Sequence, residues 1–120
     1  MWLMLQNDKP DDFVLATGKS ISVREFIISA LDKLGIEVEF NGTGLNETGR
    51  VIANHKKAKV QIGQEIIKID SRYYRPTEVE SLLGDATRAK RLLGWKPKYS
   101  IDQMIEEMIK HDLEYFRPLT

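Results

Sequence analysis

The strongest constraint on this chain is a pair of capping boxes, Ser22 with Glu25 and Ser100 with Gln103, each opening a stretch with apolar residues at helical spacing. The first stripe runs through Val23, Phe26, Ile27, Ala30, Leu31 and Leu34 and stops at Gly35. The second runs through Ile101, Met104, Ile105, Met108, Ile109, Leu113 and Phe116, with Pro118 marking its limit. Short apolar runs lie outside the two stripes. Phe13 to Ala16, after a turn cluster around Pro10, suits a buried strand, and Val38 and Phe40, spaced by two, suit a half-buried one. Ile66 to Ile69 predicts another strand, and Val51-Ile52 a weaker one within an otherwise poorly patterned stretch, 50–63. Asp85 is placed to cap a short helix that turns Ala89, Leu92 and Leu93 inward and ends at Gly94. Short strands alternating with helices predict an α/β (or α+β) fold with a small sheet and three to four helices.

A chain of 120 residues with 42% hydrophobic content has material for one domain, 1–120, around one modest core. Eighteen basic and eighteen acidic residues cancel, which argues against nucleic acid or an anionic membrane as partner. No cysteine and only two histidines leave no thiolate zinc site or disulfide framework, and a reducing, cytoplasmic setting is expected. Met1 to Leu5 is apolar but too short for a signal or a membrane span, and reads as the last turn of a buried helix. Asn41 to Gly49 holds three glycines and must be irregular, either flexible or facing a ligand.

One segment has the chemistry of a binding site. Tyr73-Tyr74-Arg75-Pro76-Thr77-Glu78 sets a guanidinium and a carboxylate three residues apart, and Pro76 keeps Arg75 out of helix and favours an extended 72–78. A planar guanidinium matches a diphosphate, and a carboxylate accepts from a ribose diol. On spacing alone, an ordinary surface ion pair is the better account of the two residues.

Gly84-Asp85-Ala86-Thr87-Arg88-Ala89-Lys90 followed by Leu93-Gly94-Trp95-Lys96-Pro97 resembles the closing signature of extended short-chain dehydrogenase/reductase enzymes that act on sugar nucleotides. Together with Phe13 to Gly18, Ser22 to Phe26 and the Arg75-Pro76-Thr77-Glu78-Val79 block, it resembles the GDP-mannose 4,6-dehydratase family in particular, over nearly the whole chain. The resemblance implies a C-terminal, nucleotide-sugar-binding portion, with Arg75 on the pyrophosphate and Glu78 on the ribose of GDP-mannose. It also implies that the complete enzyme uses NADP, which takes a hydride from C4 of the mannose before water leaves across C5 and C6 and the hydride returns at C6.

The parts of that family which perform this chemistry are not found in the sequence. Gly42, Gly44 and Gly49 lack the spacing of a dinucleotide-binding turn, and no helical pattern follows them. Tyr73, Tyr74, Tyr99 and Tyr115 have no lysine four residues later, so no catalytic residue is assigned. The expectation is therefore a chain without the N-terminal Rossmann domain and without its own cofactor, inactive alone, whose partners are GDP-mannose and the missing domain or a second copy. Two other readings remain open: a domain of another sugar-nucleotide epimerase or dehydratase, and a non-catalytic remnant or assembly module. Asp85 is read as structural, Trp95 as a packing residue, Arg50 as unassigned, the His55 to Lys59 run as solvated, and His111 as matching the negative end of its helix.

Overall fold

The computed structural model describes residues 1–75 and 82–116, in two compact units. One comprises Met1–Ile21 with Val79–Ser100, the other Ser22–Glu78 with Ile101–Thr120.

The second unit begins at the first capping box. The Ser22 hydroxyl accepts from the Glu25 backbone N–H at 3.1 Å, while the Glu25 carboxylate accepts from the Ser22 N–H at 2.6 Å. These bonds satisfy donors that helix α2 (Val23–Lys33) leaves orphaned at its start. Gly35, at φ +71°, turns the chain from α2 into strand β1 (Ile36–Asn41). Strands β2 (Thr48–Asn54) and β3 (Glu65–Lys68) complete an antiparallel sheet ordered β1-β2-β3. The residues between β1 and β2 hold a 3₁₀ turn, Gly44–Asn46, so only 42–47 of the expected irregular stretch lies outside the strands.

The 50–63 stretch divides cleanly. Val51-Ile52 lies in β2, and the excursion after it is tied down by Asn54, whose side chain donates to the Ala58 and Val60 carbonyls at 2.8 and 3.1 Å. The core of this unit is Ile36, Val51 (1% exposed) and Ile105 (2%). Ile105 belongs to helix α4 (Ile101–Tyr115), which packs on α2, where the Lys33 ammonium donates to Asp102 at 3.0 Å. The α4 stripe is buried less than its periodicity implies: Ile105 is enclosed and Ile109 half-buried, whereas Met104, Met108, Leu113 and Phe116 are exposed. Val23, on the first turn of α2, is exposed as well.

In the first unit, helix α1 (Trp2–Leu5) is helical as expected, but Trp2 and Leu5 face solvent, so it is not buried. Phe13 to Ala16 forms no strand, because no segment among the described residues pairs with its backbone. It is held through side chains instead. Arg88 bonds Asp11 and lies over the Phe13 ring at 5.8 Å, and Gly84 comes so near that a Cβ there would stand 2.6 Å from that of Ala16. Arg88 is part of helix α3 (Thr87–Leu93). Ala86 occupies the cap position of α3, yet the Asp85 carboxylate accepts from the Thr87 N–H at 2.9 Å and so does the capping. Ala86 and Ala89 are buried and Leu93 half-buried, but Leu92 is 50% exposed, contrary to its expected inward place. Gly94 closes the helix in the left-handed conformation as anticipated.

Ser22→Ala should lower unfolding free energy by about 1 kcal/mol in urea titration. The Ser22 backbone N–H, and then its hydroxyl, hold the Glu25 carboxyl below its ordinary value. Because the folded value is the lower one, this contribution is complete above the unfolded pKa and is lost as pH falls through the folded one. Stability of the variant should accordingly fall less steeply with acid over that window. Ile105→Ala should cost about 2–5 kcal/mol in the same titration, since it opens a cavity in the core.

Candidate functional site

The register of the sheet builds a cleft on one face. Phe40 pairs with Gly49, and Gly49 with Ile67, so the three stand in one row across β1, β2 and β3. A Cβ on Gly49 would lie 2.9 Å from Ile67 Cδ1 and 3.3 Å from the Phe40 ring, and its absence lets those two side chains converge. With Ile27 and Ile69 they wall a cleft of about 230 Å³, edged by the ion pair of Arg24 and Glu47. The Arg24 guanidinium donates from Nε to Glu47 at 3.0 Å and lies over the Phe40 ring at 5.4 Å, so the charge is both matched and seated on an aromatic face.

From β3 the chain passes through Ile69 to a tight turn. Asp70 Oδ1 accepts from the Arg72 backbone N–H at 2.9 Å, and Oδ2 accepts from Arg72 Nη2 at 2.7 Å and Nε at 3.1 Å. The Asp70 carbonyl accepts from the Tyr73 N–H at 3.0 Å. The Arg72 guanidinium, and then its backbone N–H, hold the Asp70 carboxyl below its ordinary range, and the Arg72 pKa is raised in return. The Arg72 guanidinium also lies 5.6 Å from the Tyr73 ring centre. This turn replaces the extended conformation expected of 72–78 at Arg72 and Tyr73, because a carboxylate two residues back offers the backbone a local partner. Tyr74 follows, its hydroxyl 4.0 Å from the point a Cβ on Gly44 would occupy, and then Arg75, exposed. Glu78 lies outside the described residues.

The remaining sequence candidates have local duties. Arg50 faces its strand partner Glu65 at 3.7 Å, which makes it a cross-strand pair. His55 meets Glu37 at 2.6 Å, and the Lys56 ammonium donates to the Lys33 carbonyl at 2.9 Å, satisfying an open helix end. The basic run is therefore more engaged than a merely solvated one. His111 lies 3.5 Å from Asp112 and stacks on Tyr115. Trp95 is half-buried, its backbone N–H donating to the Ala89 carbonyl at 3.3 Å. The Thr87 hydroxyl, and then its backbone N–H, hold the Asp85 carboxyl low, consistent with a capping role.

Among the described residues no group of His, Cys, Asp or Glu could hold a metal ion, and no helix is long and apolar enough to cross a membrane. The glycines do not suit a dinucleotide cofactor. Gly42 and Gly44 shape the β1–β2 connection, where a Cβ on Gly42 would meet the Asn46 carbonyl oxygen at 2.2 Å, and Gly49 is spent inside β2. Among the described residues, each group with a displaced pKa belongs to a cap, a turn or an ion pair. The geometry on this face is an apolar cleft edged by the Arg24–Glu47 ion pair. The Asp70–Arg72 clamp escaped the sequence reading, although Asp-x-Arg directly after a strand is a legible signal for a side-chain-closed turn.

By fold the chain is of the small α/β class. The model of the GDP-mannose 4,6 dehydratase family matches residues 1–108. A GDP-mannose 4,6-dehydratase of Yersinia enterocolitica is 45% identical over 115 residues, covering 94% of this chain and 31% of the relative. One from Vibrio cholerae is 48% identical over the same length, and the human protein is 44% identical over 117 residues, covering 98% of this chain and 29% of its own. The chain belongs to the GDP-mannose 4,6-dehydratase family. It spans about a third of the length of the relatives it matches.

Gly49→Val should force Phe40 and Ile67 apart and fill the cleft. Despite the β-propensity of valine, we expect a loss of about 1–3 kcal/mol in urea titration, the usual penalty of overpacking.

Proposed function

We propose that this chain supplies the GDP-sugar-binding side of a GDP-mannose 4,6-dehydratase, with Arg75 and Glu78 as its ligands. The observation that carries the reading is the family match over 1–108, which takes in both residues and the turn that leads to them. The Arg75 guanidinium would hold the two phosphates by forked, charge-assisted hydrogen bonds, and Glu78 would accept from the ribose diol. Exposure of Arg75 at the end of a clamped turn supports this assignment, since a long cation on a stiff support loses little freedom on binding. The Rossmann portion and its NADP belong to the remaining two thirds of the family's chain, supplied by a separate chain or a longer form, and the 120 residues alone bind no NADP and turn over no GDP-mannose. The cysteine-free composition supports a cytoplasmic setting.

Calorimetry with GDP and UDP tests the reading. GDP should bind and UDP bind more weakly; Arg75→Ala should remove GDP binding, while Glu78→Ala should weaken GDP without changing the affinity for inorganic pyrophosphate. UDP bound as tightly as GDP would favour another sugar-nucleotide enzyme. Formation of the 4-keto-6-deoxy product from GDP-mannose by the purified chain would overturn the assignment of an inactive part.

A further inference from the structure

We propose that Asn41 is a site of spontaneous deamidation, closing a succinimide with the backbone nitrogen of Gly42 and opening in part to isoaspartate. Of the four asparagines, Asn7, Asn41, Asn46 and Asn54, Asn41 alone precedes a glycine, so the attacking nitrogen has no side chain beside it to crowd the ring. The structure separates them further. Asn54 is held at both ends of its amide: Nδ2 donates to the Ala58 and Val60 carbonyls, and Oδ1 accepts from the Ala58 N–H at 3.0 Å. Asn41 is exposed, and its Nδ2 donates at 3.3 Å to the carboxylate of Glu39, itself exposed. It is also the last residue of β1, an edge strand, and with Thr48 forms the terminal pair of the ladder. Terminal pairs open at little cost, and opening frees the backbone rotation that ring closure needs. Gly42 already stands outside the strand, at φ +87°. In the reaction the Gly42 nitrogen gives up its proton and attacks Asn41 Cγ; the new C–N bond forms, the Cγ–Nδ2 bond breaks and ammonia leaves. Water then splits the ring at Cγ to give aspartate, or at the main-chain carbonyl to give isoaspartate, whose chain runs through Cβ. That extra main-chain atom falls at a crowded place, because a Cβ on Gly42 would already stand 2.2 Å from the Asn46 carbonyl oxygen. The same connection carries Glu47, the partner of Arg24 at the rim of the cleft, so the modification should disturb that rim.

The test is peptide mass spectrometry of the 120-residue chain, with fragmentation to locate the residue, after incubation in mildly alkaline buffer at physiological temperature, folded and in urea. Asn41 should gain about one dalton, the exchange of an amide for an acid. In the folded chain this should proceed within roughly tenfold of the rate in urea, since opening one terminal pair is all the fold has to give up. The rate should rise with pH, because the attacking amide must lose its proton. Aspartate and isoaspartate should both form, and Asn7, Asn46 and Asn54 should stay intact over the same period. Asn41→Gln should abolish the gain, since glutamine would have to close a larger ring. In the isoaspartate form the Glu47 and Thr48 amide resonances should move while that of Ile105 stays in place. A folded chain that keeps Asn41 intact while the chain in urea loses it would mean that the strand shields the site, and would overturn the proposal. Equal gain at Asn54, product without isoaspartate, or a gain that persists in Asn41→Gln would each overturn it too. An unmoved Glu47 resonance in the isoaspartate form overturns the effect on the cleft alone.

Discussion

Strand β2 is hydrogen-bonded on both sides, and the register it imposes decides where the rest of its unit can stand. Its Val51 is almost fully enclosed, and its Gly49 leaves the gap over which Phe40 and Ile67 close. An irregularity between Gly49 and Arg50 re-aims the pairing with β3, so that Arg50 meets Glu65 and the strand ends at Lys68. The turn that delivers Arg75 starts two residues later. A slip of one residue in this ladder would move the apolar walls of the cleft to the other face and carry the turn with them.

The other unit is stabilised differently, with little regular structure. Arg88 connects α3 to the chain around Asp11 and Phe13, and the small residues Gly84, Ala86 and Ala89 permit close approach where larger side chains would not fit. Both units leave large apolar side chains exposed, among them Trp2 and Leu5 in one and Leu113 and Phe116 in the other. A chain of this size buries a modest fraction of its surface, and this one corresponds to about a third of its relatives' length.

Legibility followed the range of the interactions. The Ser22–Glu25 box and the Gly94 helix end were readable because their partners lie within a few residues, and both stand where the pattern put them. β1 was readable because Val38 and Phe40 alternate with charged neighbours on a half-buried strand. The Phe13 to Ala16 run was misread, since apolar composition promises burial but not a backbone partner, and the contacts it has come from residues 84 and 88. The α4 stripe was likewise correct in period but not in burial, because periodicity says which face is apolar and not what covers it.

The sequence by itself determined the starts of α2 and α4 and the family blocks, all of which are local in the chain. Tertiary structure decided which residues form the core, that 50–54 extends a strand, that Arg50 serves a cross-strand pair and that His55 meets Glu37. It also decided that the chain reaches Arg75 through a clamped turn instead of an extended run. The reason is physical: capping and spacing are set within a turn of chain, whereas burial and pairing depend on which distant segment supplies the other half of each contact.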